Sequence, residues 1–383
     1  MIDIFIKKYD QKLIIYLLIL AIIGTIMLYS ASWYESFISS GGSTEMFFLK
    51  NHLIRLGIGT LVLILFLFID YRDLRYIAPY LIIFSIFLLI LTKLIYLVNG
   101  YSWYKPSRWL SLGFISLQTS DIARFSIIIF MAYYVEKKRD QLKSFQTGLL
   151  PALIILGIIM ALIIIQPDYS TAIMIGILGI LILFVGGAQI SQISFSCSLA
   201  FLIGIPVLLS REYRRQRVLS FFGLGDNPDV GYQANQSLIS LGNGGLFGVG
   251  LGNSIEKNHF LPTPHTDFIF AIIGEELGFI IGTIPVLTLF LFIFLRGIKI
   301  AKNCTDPFGV FLAIAISSNL ILYAFVNAAV VTGLFPVTGL PMPLVSYGGS
   351  GMIVNMALIG IILNISQSKR IIGNNNWSRE FNG

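Results

Sequence analysis

A single aspartate stands where a polar, proline-rich stretch of the sequence meets a long apolar segment. Asp267 follows the stretch Leu261–Thr266, and two further carboxylates, Glu275 and Glu276, lie within the apolar segment. If that segment is a helix that rises about 1.5 Å per residue, Glu275 lies roughly 12 Å deeper than Asp267. A carboxylate at such a boundary can act as a general base, but aspartate and threonine also cap helices well. The residue types therefore support catalysis and capping equally for Asp267.

Four arginines precede this aspartate in the same long polar loop. Arg211, Arg214, Arg215 and Arg217 are close enough in sequence to hold a pyrophosphate through several charge-assisted hydrogen bonds. The loop continues into a glycine-rich run at residues 242–252. Because that run lacks the Gly-Lys-Ser/Thr ending of a nucleotide-binding loop, its glycines indicate tight turns and close packing.

A second polar stretch, residues 99–121, alternates aromatic side chains with Lys105, Arg108 and Gln118. This pattern suits a segment in the lipid headgroup layer, where rings bury at the interface and cations contact phosphate. An ordinary aromatic belt would give the same pattern. Asp121 and Arg124 follow on one face of a predicted helix, and they fit a functional pair and a structural pair equally well.

A third polar stretch, Gln166-Pro167-Asp168, separates two apolar segments. A proline and an acid at this point break a helix and expose backbone groups, which is tolerated only inside protein or beside water. We therefore interpret Asp168 as a structural clamp rather than a catalyst. The three histidines have no metal-ligand spacing, so a zinc site is not predicted.

The composition places most of this chain in lipid. Of its 383 residues, 56% are hydrophobic and 12% are charged, whereas a soluble domain carries about 25% charged residues. The sequence therefore predicts an all-α polytopic membrane protein. The net charge of +7 is explained by lysines and arginines in cytoplasmic loops, and no nucleic-acid partner is predicted.

Ten apolar segments are long enough to predict membrane-spanning helices. By residue number they are 13–32, 52–70, 77–98, 121–135, 148–166, 169–187, 191–210, 267–295, 308–333 and 350–367. The distribution of basic residues places both termini in the cytoplasm, so the chain is predicted to start with a retained cytoplasmic segment. The loop 211–266, between spans seven and eight, is then outside. One transmembrane domain, 1–370, is followed by a flexible cytoplasmic tail, 371–383.

These stretches together resemble the shape, elongation, division and sporulation (SEDS) family, the RodA, FtsW and SpoVE polymerases of bacterial cell walls. Three motifs carry the resemblance, and the QPDYST piece and the segment from Arg108 to Gln118 also fit. The motifs are LPTPHTDFIFAIIGEELG (Leu261–Gly278), GYQANQSLISLGNGGLFGVGLGNS (Gly231–Ser254) and PVTGLPMPLVSYGGSG (Pro336–Gly351). Two departures affect fine geometry: Asp121 and Arg124 stand where the family has Glu and Lys, and Gly351 replaces a serine. Leu251–Ser254 and Ile69–Tyr71 are closer to the division member, FtsW.

The resemblance implies polymerisation of lipid II at the outer face of the bacterial cytoplasmic membrane, with inversion at the anomeric carbon. The family's catalytic acid lies in its His-Thr-Asp-Phe motif, which places it at Asp267, as a base or as a ligand of a divalent cation such as Mg²⁺ or Mn²⁺. We predict substrate contacts from Lys105, Arg108, Arg214, Arg215, Arg217, Gln233, Gln236, Lys257 and Ser346. We predict supporting roles for Asp121, Arg124, Asp168, Glu275 and Glu276.

The implied partner is a class B penicillin-binding protein, a single-span transpeptidase, together with other proteins of the division or elongation machinery. Two other functions stay open. A lipid II flippase would use the same body, with Glu275 or Glu276 as a proton relay within the membrane. A non-catalytic division scaffold would give no reason for the basic residues on the outer side.

Overall fold

Helices make up most of this computed structural model, which describes residues 9–100, 108–111, 116–210, 212–224, 228–258 and 260–367. Lys105, Arg211 and the predicted tail 371–383 lie outside the described residues. The helices are α1 (Gln11–Ser39), α2 (Phe47–Phe68), α3 (Leu74–Val98), α4 (Thr119–Lys138), α5 (Leu150–Ile165), α6 (Tyr169–Val185), α7 (Ile190–Leu209), α8 (Glu212–Phe221), α9 (Pro228–Gly244), α10 (Ile269–Gly278), α11 (Ile284–Asn303), α12 (Pro307–Val331) and α13 (Ser350–Ile365). A short antiparallel pair, β1 (Trp109–Ser111) and β2 (Ser116–Gln118), precedes α4.

Each of the ten predicted spans coincides with a helix or, at 267–295, with α10 and α11 in succession. Within the described residues, six helical segments are long and apolar enough to cross a membrane, and three shorter apolar helices accompany them. The chain is therefore a helical, multi-pass membrane protein, as predicted. The number of crossings stays a prediction.

A break between α10 and α11 explains part of the glycine-rich run. Gly278 ends α10 with a φ of 76°, and a π-helical turn, Phe279–Thr283, leads into α11. Segment 245–250 pairs with this break: Val249 N–H donates to Glu275 O at 2.9 Å, and Phe279 N–H donates to Gly245 O at 3.0 Å. A Cβ on Gly278 would lie 2.3 Å from the backbone nitrogen of Gly248, so only glycine permits this approach.

Candidate active site

Asp267 lies at the start of α10 but does not cap it. The N-cap position belongs to Phe268, and no side chain caps this helix. Asn327, on α12, donates from Nδ2 to the backbone oxygen of Asp267 at 2.7 Å, while no described residue donates a hydrogen bond to its carboxylate. The capping alternative therefore lacks its hydrogen bond. The half-buried carboxylate is free to meet a ligand.

The carboxylate faces a cavity of about 240 Å³, here called the polar cavity. Two of its charged residues lie on α4, one directly precedes β1, one directly precedes α6, and the fifth is Asp267. These charged residues are Arg108, Asp121, Arg124, Asp168 and Asp267. Trp109, Tyr323, Ser346 and Asn355 add polar and aromatic surface. The polar cavity can therefore offer hydrogen bonds in many directions to a hydrophilic ligand.

A second cavity of about 830 Å³, here called the apolar cavity, lies on the other side of Arg108 and Leu340, which line both. Its walls come mainly from α6, α8 and segment 335–340, and most of its side chains are hydrophobic. Arg108, Arg214 and Arg217 are the charged residues among its described walls. A cavity with aliphatic walls and three arginines suits a ligand that has an anionic group on a hydrocarbon chain.

The PVTGLPMP motif forms the partition between the cavities. Its beginning, Pro336–Thr338, lines the apolar cavity, and the part from Gly339 to Pro343 lines the polar one. Two hydrogen bonds hold the partition: Arg217 donates from Nη1 to Val337 O at 3.1 Å, and Ser170 donates to Thr338 O at 2.7 Å. The two cavities are therefore neighbours that share Arg108 and Leu340 as wall residues.

Asp168 joins the β1–β2 pair to the start of α6. Its Oδ2 accepts hydrogen bonds from Ser120 at 2.9 Å and from Gln118 at 3.1 Å. Arg108 lies 3.8 Å from its other oxygen and also donates to Pro167 O. These contacts are those of the predicted clamp, and they fix Arg108 at the junction of the two cavities.

Asp121 and Arg124 form an ion pair at the start of α4, with 3.2 Å between Oδ1 and Nη2. Asp121 also accepts a hydrogen bond from Ser350 at 2.8 Å, which ties α4 to α13. The buried guanidinium of Arg124 stacks 4.5 Å from the ring centroid of Tyr323 on α12. The pair thus braces three helices and forms one wall of the polar cavity.

Lys257, one of the predicted substrate contacts, forms an internal ion pair in this structure. Its Nζ lies 2.7 Å from Oε1 of Glu276, and it also donates to Gly252 O at 2.7 Å and to Ser30 at 3.1 Å. Lys257 and Glu276 are both buried, so the ammonium group is used inside the protein. Sequence reasoning missed this pair because nineteen residues separate its members.

Glu275 has a similar internal role. Its carboxylate accepts hydrogen bonds from Ser254 at 2.5 Å, from Ser240 at 2.9 Å and from Ile255 N–H at 3.0 Å. Together, Glu275 and Glu276 dock the loop before Asp267 onto α10. The bonds hold both carboxylates in place and leave neither facing the two cavities.

Three other predicted substrate contacts lie away from both cavities in the described part of the chain. Arg215 is exposed and pairs with Glu212 at 2.6 Å, and Gln236 bonds Tyr232 at 3.0 Å. Gln233 lies on α9, close to Gln236 in sequence.

Ser346, by contrast, lines the polar cavity as predicted for a substrate contact. Its hydroxyl accepts a hydrogen bond from the Met342 N–H at 2.8 Å. Sequence reasoning missed Tyr323, Asn355 and Gly339, although polar residues in apolar helices are a usable signal.

A metal ion would find few ligands near Asp267. Among the described residues, no group of three or more His, Cys, Asp or Glu side chains could hold one. A divalent cation there would take most of its ligands from phosphate oxygens and water, as Mg²⁺ commonly does.

Gly339 controls the space in front of the catalytic candidate. It has a φ of 76°, and a Cβ there would lie 3.3 Å from Oδ2 of Asp267. We expect Gly339→Ala to strain the backbone by about 1–2 kcal/mol and to press on the carboxylate, which lowers turnover by roughly 10²-fold. Gly57→Ala, with open space around its Cβ, is the matched control in a polymerisation assay. Full turnover by Gly339→Ala would show that this contact does not position Asp267.

Comparison with known proteins identifies a family to which this chain is similar over nearly its whole length. A model of the cell cycle protein family FtsW, RodA and SpoVE matches residues 10–371. A probable peptidoglycan glycosyltransferase FtsW of Geobacter metallireducens is 38% identical over 363 residues, 94% of this chain and 95% of that protein. Stage V sporulation protein E of Bacillus subtilis is 37% identical over 367 residues, 94% of this chain and 98% of that protein.

Two solved structures share the fold at 23% identity, and each comparison covers 94% of this chain and 98% of the other. A chain of a peptidoglycan synthase complex aligns with a TM-score of 0.76, and the rod shape determining protein RodA of Thermus thermophilus aligns with 0.66. The chain belongs to the FtsW, RodA and SpoVE family of cell cycle proteins.

Proposed function

We propose that this chain is a peptidoglycan glycosyltransferase that polymerises lipid II at the outer face of the bacterial cytoplasmic membrane, in cell division or shape maintenance. The observation that carries the proposal is the meeting of two unlike cavities beside Asp267. One has aliphatic walls and three arginines, and the other is polar and contains the carboxylate. The names of the relatives, probable peptidoglycan glycosyltransferases, support the same reaction class.

The proposed reaction is one inverting displacement. Asp267 accepts the proton of the 4-hydroxyl of an incoming GlcNAc, whose oxygen then attacks the anomeric carbon of the growing glycan. The bond from that carbon to the lipid pyrophosphate breaks, and the pyrophosphate leaves with the electron pair. Arg108, Arg214 and Arg217 stabilise the charge that develops on it. The hydrocarbon chain of the donor occupies the apolar cavity.

A class B penicillin-binding protein is the proposed partner. One fold neighbour comes from a peptidoglycan synthase complex that coordinates polymerisation and crosslinking, which supports an assembly of this kind. We also propose that both termini of the chain are cytoplasmic, as the distribution of basic residues predicts.

The alternative function, lipid II transport, would require Glu275 or Glu276 to carry protons. A proton relay needs a carboxylate that can exchange protons, whereas Glu276 is bound to Lys257 and Ser30 and Glu275 to two serines. Because both carboxylates are already engaged in internal hydrogen bonds, the structure favours the polymerase over the transporter.

The test of the proposed function is glycan synthesis from labelled lipid II by the purified chain with its class B partner. Glycan ladders support the proposal, and transport of lipid II across proteoliposomes without ladders would refute it.

The pH profile of polymerisation tests the proposed base. Burial raises the pKa of Asp267 above its usual value of 3.8, against the lowering effect of Arg217 and Arg108. A base works when deprotonated, so we expect the rate to fall with decreasing pH through this raised pKa. The acidic limb of kcat/KM should therefore lie above pH 3.8. A rate that stays flat down to that pH would contradict a base with a raised pKa.

A further inference from the structure

A long uncharged segment precedes the part of the loop that leads to Asp267. Residues 230–255 contain no Asp, Glu, Lys, Arg or His. The end of this segment and the break between α10 and α11 together present seven large apolar side chains, all of them exposed. They are Leu246, Phe247, Val249, Leu251, Phe279, Ile280 and Ile281, here called the apolar ledge. An exposed apolar cluster of this kind marks contact with a membrane or with another protein.

The inner and outer sides of the apolar ledge differ in polarity. On the inner side, Ser240 and Ser254 donate to the buried carboxylate of Glu275, and Lys257 pairs with Glu276. The outer side consists of the apolar side chains. A surface in water normally directs its charges outward, so this arrangement is the reverse of one and suits contact with hydrocarbon.

The backbone of the apolar ledge is also suited to lipid. A chain in the hydrocarbon region must satisfy its backbone polar groups within the protein. Besides the two bonds that join segment 245–250 to the break, Gly250 N–H donates to Glu276 O at 3.0 Å and Ile280 N–H donates to Leu246 O at 3.0 Å. This irregular segment can therefore enter lipid with these hydrogen bonds intact.

The two ends of α10 are held at the same depth. The start is held by Asn327 on α12, and the end is held by Ser30 on α1, which donates to Glu276. Both helices begin at capping aspartates, Asp10 and Asp306. Each anchor lies roughly 30 Å along its helix from that capped end, which is about the thickness of the hydrocarbon core. We therefore place α10 along the membrane boundary.

The lipid-facing surface of α11 leads up to the apolar ledge. Ile284, Leu291 and Leu295 are exposed, and their spacing of seven and four residues places them on one face of the helix. This helix belongs to an apolar segment long enough to cross a membrane. Ile284 lies roughly 30 Å from the end of α11 at Asn303. The face that contacts lipid thus ends at the boundary, next to residues 280–281 of the ledge.

We infer that the apolar ledge is seated in the membrane leaflet on the side of Asp267, where its side chains contact the acyl chains of lipids. The membrane crossing then begins at the break, and Glu275 lies near the depth of Asp267 instead of roughly 12 Å deeper, as one straight helix would place it. The ledge in this way holds α10, and with it Asp267, at the membrane surface. The inference uses the membrane fold and does not depend on the proposed reaction.

Phe247→Cys tests the position of the ledge, because this side chain is the most exposed of the seven, at 67%. A nitroxide is attached to it in a Cys197→Ala/Cys304→Ala chain reconstituted in phosphatidylcholine liposomes. Its collisions with oxygen, which concentrates in lipid, are compared with those of a water-soluble nickel chelate. We expect oxygen to dominate, as at Leu291→Cys on the lipid-facing side of α11. Ser43→Cys, in the exposed turn after α1, is the matched control in water, where the nickel chelate should dominate.

Phe247→Trp gives a second readout that retains both cysteines and an aromatic side chain. The fluorescence that it adds should be quenched by phosphatidylcholine brominated near the headgroup end of its acyl chains, and protected from aqueous iodide. Nickel access at Phe247→Cys equal to that at Ser43→Cys would overturn the inference, as would quenching of the new tryptophan by iodide alone. Nickel access that is lost only when the class B partner is added would also overturn it, in favour of a protein-docking surface. Neither readout measures glycan synthesis, so a failure of the proposed polymerase would leave this result unaffected.

Discussion

Replacing Asp267 with asparagine is expected to lower the rate of glycan polymerisation by about 10²–10⁴-fold, the usual contribution of a general base. The amide keeps the size of the side chain and the hydrogen bond from Asn327, which goes to the backbone oxygen. The variant loses only the ability to accept a proton. Gel analysis of glycan from labelled lipid II, with the class B partner present, measures the effect.

We do not expect Asp267→Asn to destabilise the folded protein. Burial raises the pKa of Asp267, so the charged carboxylate is less stable in the folded protein than it is in water. Asparagine removes that cost, so the melting temperature should be equal or higher. Asp140→Asn removes the same charge at an exposed position and should keep full activity. Wild-type ladders from Asp267→Asn would refute the base and leave this residue a structural one.

The helices of this fold could be predicted because their signal is local. Lipid requires long apolar segments, and each such segment in the sequence coincides with a helix. The break after Gly278 is different, since the sequence from Ile269 to Asn303 reads as one apolar stretch. Its backbone groups bond Gly245, Leu246 and Val249, and that pairing depends on a tertiary contact.

Only those residues of the candidate site that belong to a recognisable motif could be predicted from the sequence. Arg108 and Asp267 line the polar cavity, and a motif identifies each of them. The sequence could not show whether a given arginine faces a cavity or pairs with a carboxylate of the protein. Arg217 reaches a cavity, whereas Arg215 pairs with Glu212 at the surface, because residues two apart point to different sides of α8. Which arginine binds a ligand is thus decided by how the helix packs.

Tyr323 illustrates the limit more clearly. A polar residue in an apolar helix is a usable signal, but the sequence does not show which cavity such a residue lines. The place of Tyr323 on the wall of the polar cavity becomes apparent only when α4 brings Arg124 against the ring. The polar cavity therefore forms where α4, α12 and α13 meet, since these helices contribute Arg124, Tyr323 and Asn355 to its walls.

The largest loss of stability is expected from Lys257→Met. The substitution leaves the carboxylate of Glu276 buried without its counter-charge, and Ser30 is then its one remaining donor among the described residues. Breaking a buried ion pair in this way costs about 3–5 kcal/mol. A lower melting temperature of the purified variant, followed by tryptophan fluorescence in detergent, measures the loss. The exposed Lys137→Met serves as the control.

A double variant separates this structural role from a substrate contact. In Lys257→Met/Glu276→Met no buried charge is left unpaired, so the melting temperature should recover above that of Lys257→Met alone. Polymerisation should recover with it, because neither side chain lines the polar or the apolar cavity in the described part of the chain. A stable double variant that makes no glycan would instead return Lys257 to the substrate. Recovery of both properties would support Arg108, Arg214 and Arg217, which line the apolar cavity in the described part of the chain, as the contacts of the departing pyrophosphate.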